Sequence, residues 1–281
     1  MLKRLPSIFL VGLAVLAANW GYRHYPALNA LERKLLLIVS AQPEQMVDCA
    51  LFKKRRPLVL LALGQSNAGN HGAYSISDDA PIAMMSGADC VLAEDPLPGA
   101  TGKGGSIWRH LPALLSQELD GREILLSVLA VDATTIDDWT SPGNMLAARL
   151  IDQIQSLQLR GLKPDYVLWQ QGEADAQMST TATEYRLGLD RLAALLNKAG
   201  TNAPVLLARS TVCRSGPSPW IRSAVEQAVA DNPRFISGPD TDSLVGEAFR
   251  TDGCHLNEKG LRFAAKAWAT AIKQIVSVGV P

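Results

Sequence analysis

The sequence predicts an α/β fold in which helices cover both faces of a parallel sheet, and three observations predict it. From about residue 57, short apolar runs of strand length recur, with Leu58 to Leu63 the clearest. Stretches with helical periodicity separate them. No repeat or low-complexity linker interrupts the alternation after residue 57. A run that is apolar at every position suits a strand buried on both faces, and intervening helices supply the crossovers that parallel pairing needs. In chain order, strands are expected at Leu58 to Leu63, Ala88 to Ala93, Ile124 to Val131, Tyr166 to Trp169, Val205 to Ala208 and Arg234 to Ser237. Ala88 to Ala93 is the weaker run and Arg234 to Ser237 a short one. Helices are expected at Ile107 to Leu119, Met145 to Leu159, Thr183 to Ala199, Trp220 to Ala230 and Asn257 to Val276.

Composition narrows the function. The 281 residues include 27 Lys plus Arg and 27 Asp plus Glu, with 47% apolar and 19% charged residues. That mixture excludes a mainly disordered chain. It offers no basic excess for nucleic acid, so none is expected as partner. No internal apolar run is long enough for a polytopic membrane protein.

Lys3 and Arg4 precede an apolar stretch from Ile8 to Ala18. This is the pattern of a secretory signal peptide, with small residues around Val15-Leu16-Ala17 for cleavage. Residues 1–22 are therefore expected to be a signal peptide or an N-terminal membrane anchor; a buried first helix is the competing reading. Export to a periplasmic or extracellular location follows from the first. Residues 23–56 read as an approach segment, with a short helix candidate at Leu31 to Val39 and a solvated basic run at Lys53 to Arg56. Residues 57–281 read as one domain. The cysteines, Cys49, Cys90, Cys213 and Cys254, fit no zinc spacing. An exported protein permits disulfides, and Cys213 with Cys254 is the first pair to expect, beside the alternative of four buried thiols.

In open α/β sheets, ligands bind beyond the carboxyl ends of the strands. The first strand ends in Gly64-Gln65-Ser66-Asn67-Ala68-Gly69-Asn70. A serine on such a turn is either a helix cap or an exposed nucleophile. A nucleophilic serine needs a base, and the base needs an orienting group. Of the histidines His24, His71, His110 and His255, only His255 has a carboxylate at folding-back distance, Asp252, three residues earlier across Gly253. His71 reads as a loop residue and His110 as structural. After the Tyr166 strand, Gln170-Gln171-Gly172-Glu173-Ala174-Asp175 gathers amides and carboxyls. Gly102-Lys103-Gly104-Gly105-Ser106 opens the Ile107 helix and exposes backbone N–H groups, without the Walker phosphate spacing.

Gly64-Gln65-Ser66-Asn67, Trp169-x-Gln171-Gly172-Glu173-x-Asp175 and Asp252-x-x-His255 resemble three blocks of the SGNH (GDSL-like) hydrolase superfamily. More narrowly, they resemble its sialate O-acetylesterase and carbohydrate acetylesterase branch. The resemblance spans residues 57 to about 275. It implies a flavodoxin-like three-layer α/β/α fold and an ester hydrolase with neither metal nor cofactor. It implies Ser66 as nucleophile, His255 as general base then acid, and Asp252 as orienting carboxylate. It also implies an oxyanion hole from the N–H of Ser66, the N–H of Gly104 (or Gly105) and the amide of Gln171. Glu173 is the poorer oxyanion candidate, because a carboxylate repels a developing negative charge. Gln65, Asn67, Gly105 and Glu173 are candidate substrate contacts; Glu173 and Asp175 also suit loop-holding. The chain departs from the family at Asp132-Ala133, where a glycine pair is frequent, and at Gly104-Gly105, where Gly-Pro is usual.

The expected function is a serine esterase that removes O-acetyl groups from a carbohydrate (sialate, xylan or an envelope glycan) through an acetyl-serine. A carbohydrate O-acetyltransferase on the same triad is one alternative, and a non-catalytic glycan-binding envelope module another. Trp108, Trp139 and Trp220 are placed to stack on a sugar or to fill core. The oligomeric state is not readable from the chain.

Overall fold

A strand that buries every side chain must lie inside a sheet covered on both sides. Leu58–Gly64 (β2) and Ile124–Ala130 (β5) are buried along their whole lengths, and they pair in parallel. The structure, a computed structural model, describes residues 28–73, 80–116, 119 and 122–277. The other described strands are Met46–Val47 (β1), Ile82–Ser86 (β3), Asp89–Ala93 (β4), Tyr166–Gln170 (β6), Val205–Arg209 (β7) and Phe235–Asp240 (β8). Their order across the sheet is β1-β4-β3-β5-β2-β6-β7-β8. From β3 to β8 every neighbouring pair is parallel. Strands β5 and β6 flank β2, so the winding reverses at β2 and opens a crevice beyond its carboxyl end.

The helices are Ala30–Leu35 (α1), Cys49–Lys54 (α2), Leu111–Leu115 (α3), Ile136–Thr140 (α4), Met145–Leu159 (α5), Glu173–Gln177 (α6), Ala182–Lys198 (α7), Pro219–Asp231 (α8) and Glu258–Ser277 (α9). Side chains alternate across a strand, so β2 feeds two cores. Leu58, Leu60 and Ala62 meet Trp108, Leu111 and Trp268 from the side of α3 and α9. Leu61 and Leu63 meet Leu150, Leu189 and Val225 from the side of α5, α7 and α8. The result is a three-layer α/β/α sandwich.

The sheet is mixed rather than wholly parallel, which corrects the expectation. Strand β4 runs antiparallel to β3, and β1 antiparallel to β4. The cause is local. Ser86 pairs with Asp89 across Gly87-Ala88, and Gly87 takes φ +58°. Two residues close a hairpin but cannot make a parallel crossover. Strand β3 itself escaped the sequence reading. It is rich in Met rather than β-branched residues, and two of its five residues are only half-buried.

The expected helix from Ile107 to Leu119 divides into a 3₁₀ turn, Ile107–His110, and α3. Pro112 decides this, because its ring would strike the Trp108 carbonyl in a continuous α-helix, whereas the first turn of α3 tolerates it. The described part of residues 23–56 is bonded into the domain edge. Val39 exchanges backbone bonds of 2.9 Å with Ala100 and Gly99. Lys34 Nζ donates to the carbonyls of Asp132 and Ala133, each at 2.9 Å. Disulfide Cys49–Cys90 ties α2 to β4. The signal or anchor reading, and His24, lie outside the described residues.

Gly64 has φ +149°, and a Cβ there would stand 2.0 Å from the Gln170 carbonyl oxygen. Gly64→Ala is therefore expected to cost about 3 kcal/mol or more, read by chemical denaturation. A loss under about 1 kcal/mol would contradict this close approach of β2 and β6.

Candidate active site

The turn after β2 is a single 3₁₀ turn, Ser66–Ala68, and its backbone is held from several sides. Trp108 Nε1 donates to the Ala68 carbonyl at 2.7 Å. Gln170 Nε2 donates to the Asn67 carbonyl at 3.2 Å, and Trp268 Nε1 donates to Gln170 Oε1. Gln65 Oε1 accepts from the Ala174 N–H at 3.1 Å and from Gln171 Nε2 at 3.3 Å. Ser66 is 4% exposed, so only its edge reaches the surface.

The segment Arg250–Leu256 closes on itself as a small hairpin. Arg250 and Leu256 form an antiparallel bridge, and the Thr251 N–H donates to the His255 carbonyl at 2.9 Å. Within it Asp252 folds back. Its Oδ1 accepts the N–H groups of Cys254 at 2.9 Å and His255 at 2.7 Å, and its Oδ2 lies 2.9 Å from His255 Nδ1. Burial pushes the Asp252 carboxyl up, but the His255 N–H, the His255 ring and the Cys254 N–H outweigh it and hold it at about 2. The carboxylate can only accept, so Nδ1 carries the ring proton and Nε2 keeps its lone pair. This is the tautomer of a general base.

Two braces fix the hairpin. Arg250 is 3% exposed and donates to the carbonyls of Leu244 at 2.6 Å, Val212 at 3.0 Å and Thr241 at 3.1 Å, and also to that of Cys254. Disulfide Cys213–Cys254, the pair expected first, anchors the residue before His255. The hairpin is joined to the serine turn by Asn67 Nδ2, which donates to the Cys254 carbonyl at 3.2 Å. The Ala73 N–H donates to the Leu256 carbonyl at 2.9 Å. Ser66, Asp252 and His255 are thus on two segments that the fold binds together.

The expected oxyanion donors need correction. The Gly104 N–H donates to the Asn70 carbonyl at 2.7 Å, and the Gly105 N–H to that of Gly72 at 3.1 Å. The Gln171 amide is fully buried and equally committed. Its Nε2 donates to the Thr134 carbonyl at 2.8 Å and to Asp175, and its Oε1 accepts from Tyr185 at 2.8 Å. None of these has a donor left for substrate. Among the described residues, no partner takes the N–H of Ser66 or of Gly102. The two lie on adjoining segments, since the Asn70 N–H donates to the Thr101 carbonyl at 2.9 Å.

The candidate substrate contacts are also braces. Gln65, Asn67 and Glu173 are buried, and the Gln65 amide oxygen, the Asn67 amide nitrogen and Glu173 Oε1 are bonded inside the protein. Gly105 is packed against the Ala73 carbonyl. Asp175 holds loops as expected, accepting the Ile136 N–H and the Thr180 hydroxyl, each at 2.9 Å. Trp108 and Trp139 are fully buried core residues, whereas Trp220 is 67% exposed.

One residue passed over by the sequence reading stands at the site. The His71 ring stacks on His255, with centroids 5.4 Å apart and planes 26° apart. Its Nε2 lies 3.2 Å from the Thr101 hydroxyl. Burial lowers its pKa, with Asp132 pulling it up and His255 pushing it down. The only sequence cue was its position, five residues beyond Ser66 on the same loop.

Residues 58–274 match the family described as carbohydrate esterase, sialic acid-specific acetylesterase. The chain belongs to this carbohydrate esterase family. It is a carboxylic ester hydrolase that acts on carbohydrate. No curated protein sequence matches it. Among solved structures, a protein from Arabidopsis thaliana is 20% identical with TM-score 0.60, over 76% of this chain and 97% of its own. A carbohydrate acetylesterase from Xanthomonas citri is 19% identical with TM-score 0.54, over 79% of this chain and 56% of its own. The psychrotrophic esterase EstA from Pseudoalteromonas sp. is 16% identical with TM-score 0.52, over 78% of this chain and 99% of its own. At these identities the likeness is one of fold.

In this esterase Arg250 grips four carbonyls from one planar fork, and a lysine has a single nitrogen to offer them. Arg250→Lys is expected to cost about 2–4 kcal/mol in chemical denaturation and to lower ester hydrolysis about tenfold or more. Wild-type stability in this variant would show that the grip does not hold the hairpin.

Proposed function

We propose that this carbohydrate esterase removes O-acetyl groups from a glycan by double displacement at Ser66. The observation that carries the reading is the Asp252–His255 pair, on a hairpin bonded through Asn67 to the serine turn. His255 Nε2 takes the Ser66 hydroxyl proton as the oxygen attacks the acetyl carbonyl. The tetrahedral oxyanion is met by the N–H groups of Ser66 and Gly102. His255 then gives its proton to the departing sugar oxygen, which leaves an acetyl-serine. Water, deprotonated by His255, attacks that ester, and acetate leaves as Ser66 regains its proton. Asp252 keeps the ring oriented and stabilises the imidazolium through both steps.

The substrate class follows from family membership, and the acetyl group and its position on the sugar are part of the proposal. The exposed indole of Trp220 borders a groove lined by Thr180, Ser215 and Pro217 and offers a sugar ring a stacking face. Export is proposed as well, with residues 1–22 as signal or anchor. It is supported by the basic-then-apolar start and by two disulfides, Cys49–Cys90 and Cys213–Cys254, which oxidising compartments favour.

Acetate release from p-nitrophenyl acetate and from acetylated glycans tests the chemistry. Ser66→Ala is expected to lower kcat about 10⁴-fold or more, and Asp252→Asn about 10³-fold, with folding retained. Full activity in Ser66→Ala would remove the nucleophile assignment. Preferential delivery of the acetyl group to a sugar hydroxyl over water would make the enzyme a transferase. Fractionation of the producing cells is expected to find the protein outside the cytoplasm with both disulfides formed; a cytoplasmic, reduced protein would remove the export reading.

A further inference from the structure

Beneath the serine turn, an amide and a carboxyl group meet and leave two oxygens without a donor. Asn67 Nδ2 donates to Glu173 Oε1 at 2.8 Å. The other arm of each group, Asn67 Oδ1 and Glu173 Oε2, is buried and has no hydrogen-bond partner among the described residues. Glu173 is 1% exposed and Asn67 4%, so bulk water does not reach them. Buried polar atoms are almost always paired, and two acceptors cannot pair with each other. One proton removes both orphans. A protonated Oε2 is the one donor that the two orphaned oxygens lack, and its bond to Asn67 Oδ1 is the second arm of a carboxylic acid–amide ring whose first arm is the Nδ2–Oε1 bond.

We propose that Glu173 is a neutral carboxylic acid in the working enzyme, its Oε2–H donating to Asn67 Oδ1, and that this closed pair positions Asn67 beside Ser66. The inference rests on the reading of Ser66 as nucleophile. Glu173 is a positioning residue, acting through Asn67. Asn67 reaches on to the Cys254 carbonyl, so the pair sets the serine turn against the residue preceding His255.

The surroundings favour the neutral form. Ser210 Oγ donates to Oε1 at 2.9 Å and does not serve Oε2. Arg250 is the nearby cation, but its bonds go to the carbonyls of Leu244, Val212, Thr241 and Cys254 rather than to Glu173. Tyr185 and Asp175 stand on the other side, the tyrosine bonded to Gln171 and the aspartate to Ile136, Gln171 and Thr180. Asp242, which also faces Arg250, is engaged by Thr211, Val212 and Arg222. Burial pushes the Glu173 carboxyl up to about 7, against the bonds from Asn67, its own N–H and Ser210 and against the Arg250 charge. Loss of the proton would put a negative oxygen against Asn67 Oδ1 and drive the amide out of place.

Glu173→Gln separates the proton from the shape, since its Nε2 donates to Asn67 Oδ1 at every pH. Three measurements are made on wild type, Glu173→Gln and Ser66→Ala between about pH 5 and about pH 9. In infrared difference spectra, wild type and Ser66→Ala are expected to show a buried protonated carboxyl that titrates near 7, and Glu173→Gln to lack it. In kcat, wild type and Glu173→Gln are expected to share the acid limb set by the general base, while on the alkaline side wild type falls by about tenfold or more and Glu173→Gln stays within about threefold of its own maximum. In Tm, the lead of Glu173→Gln over wild type is expected to grow as pH rises from the ordinary carboxyl value towards about 7, because a raised folded-state pKa means stability lost over that window. Absence of the titrating band, or an alkaline fall retained in Glu173→Gln, would overturn the proposal. Activity persisting in Ser66→Ala would remove the nucleophile instead, and the infrared band would still report on Glu173.

Discussion

At the end of β2 the Gly64 backbone lies so near the Gln170 carbonyl that a methyl group would stand 2.0 Å from its oxygen, and the rest of the site is built on that approach. It lets the chain leave the sheet at the point where the winding reverses, between β5 and β6. It also sets the Gln170 side chain under the serine turn, where it binds the Asn67 carbonyl and is itself bound by Trp268. Sheet, turn and the last helix are thereby fixed to one another. Catalysis needs such fixity, because an error of about 1 Å in the reacting geometry costs about a hundredfold in rate.

Below the turn the protein is polar and closed to bulk solvent, and most of its hydrogen-bonding groups are engaged. Gln65, Gln171, Glu173, Asp175 and Arg250 are all buried, and their bonds run mostly to one another or to backbone. A network of this kind contributes little to net stability but specifies one arrangement, since each unmade bond is expensive in a low-dielectric interior. Arg250 illustrates the logic. A buried cation serves here as a collector of carbonyls from four places in the chain, and it draws the hairpin onto the strand ends.

Much of this was legible beforehand. Leu58 to Leu63 reads as a strand because no position in it tolerates water, and Met145–Leu159 matches its periodicity at both ends. The Asp252-x-x-His255 spacing reads as a pair because three residues across a glycine suffice to fold a carboxylate back. Which of the candidate oxyanion donors are already bonded was not legible. Gly104 and Gln171 have the right groups, but a sequence shows which donors exist and not which carbonyls consume them. Strand β3 was hidden by its composition, and His71 by sequence distance, for a stack of rings forms only once two loops meet.

The Arg250–Leu256 hairpin carries Asp252 and His255 together. Asp252 and His255 are bonded within it, and its outward ties run through Arg250, Cys254 and Leu256. The pair is a self-contained cassette whose internal alignment does not depend on the serine. Sequence drift in the surrounding loops can therefore slide or tilt the cassette relative to Ser66 while the imidazole stays correctly protonated. In this architecture, adaptation to a bulkier or differently acetylated sugar becomes a matter of docking one preassembled unit rather than rebuilding a triad.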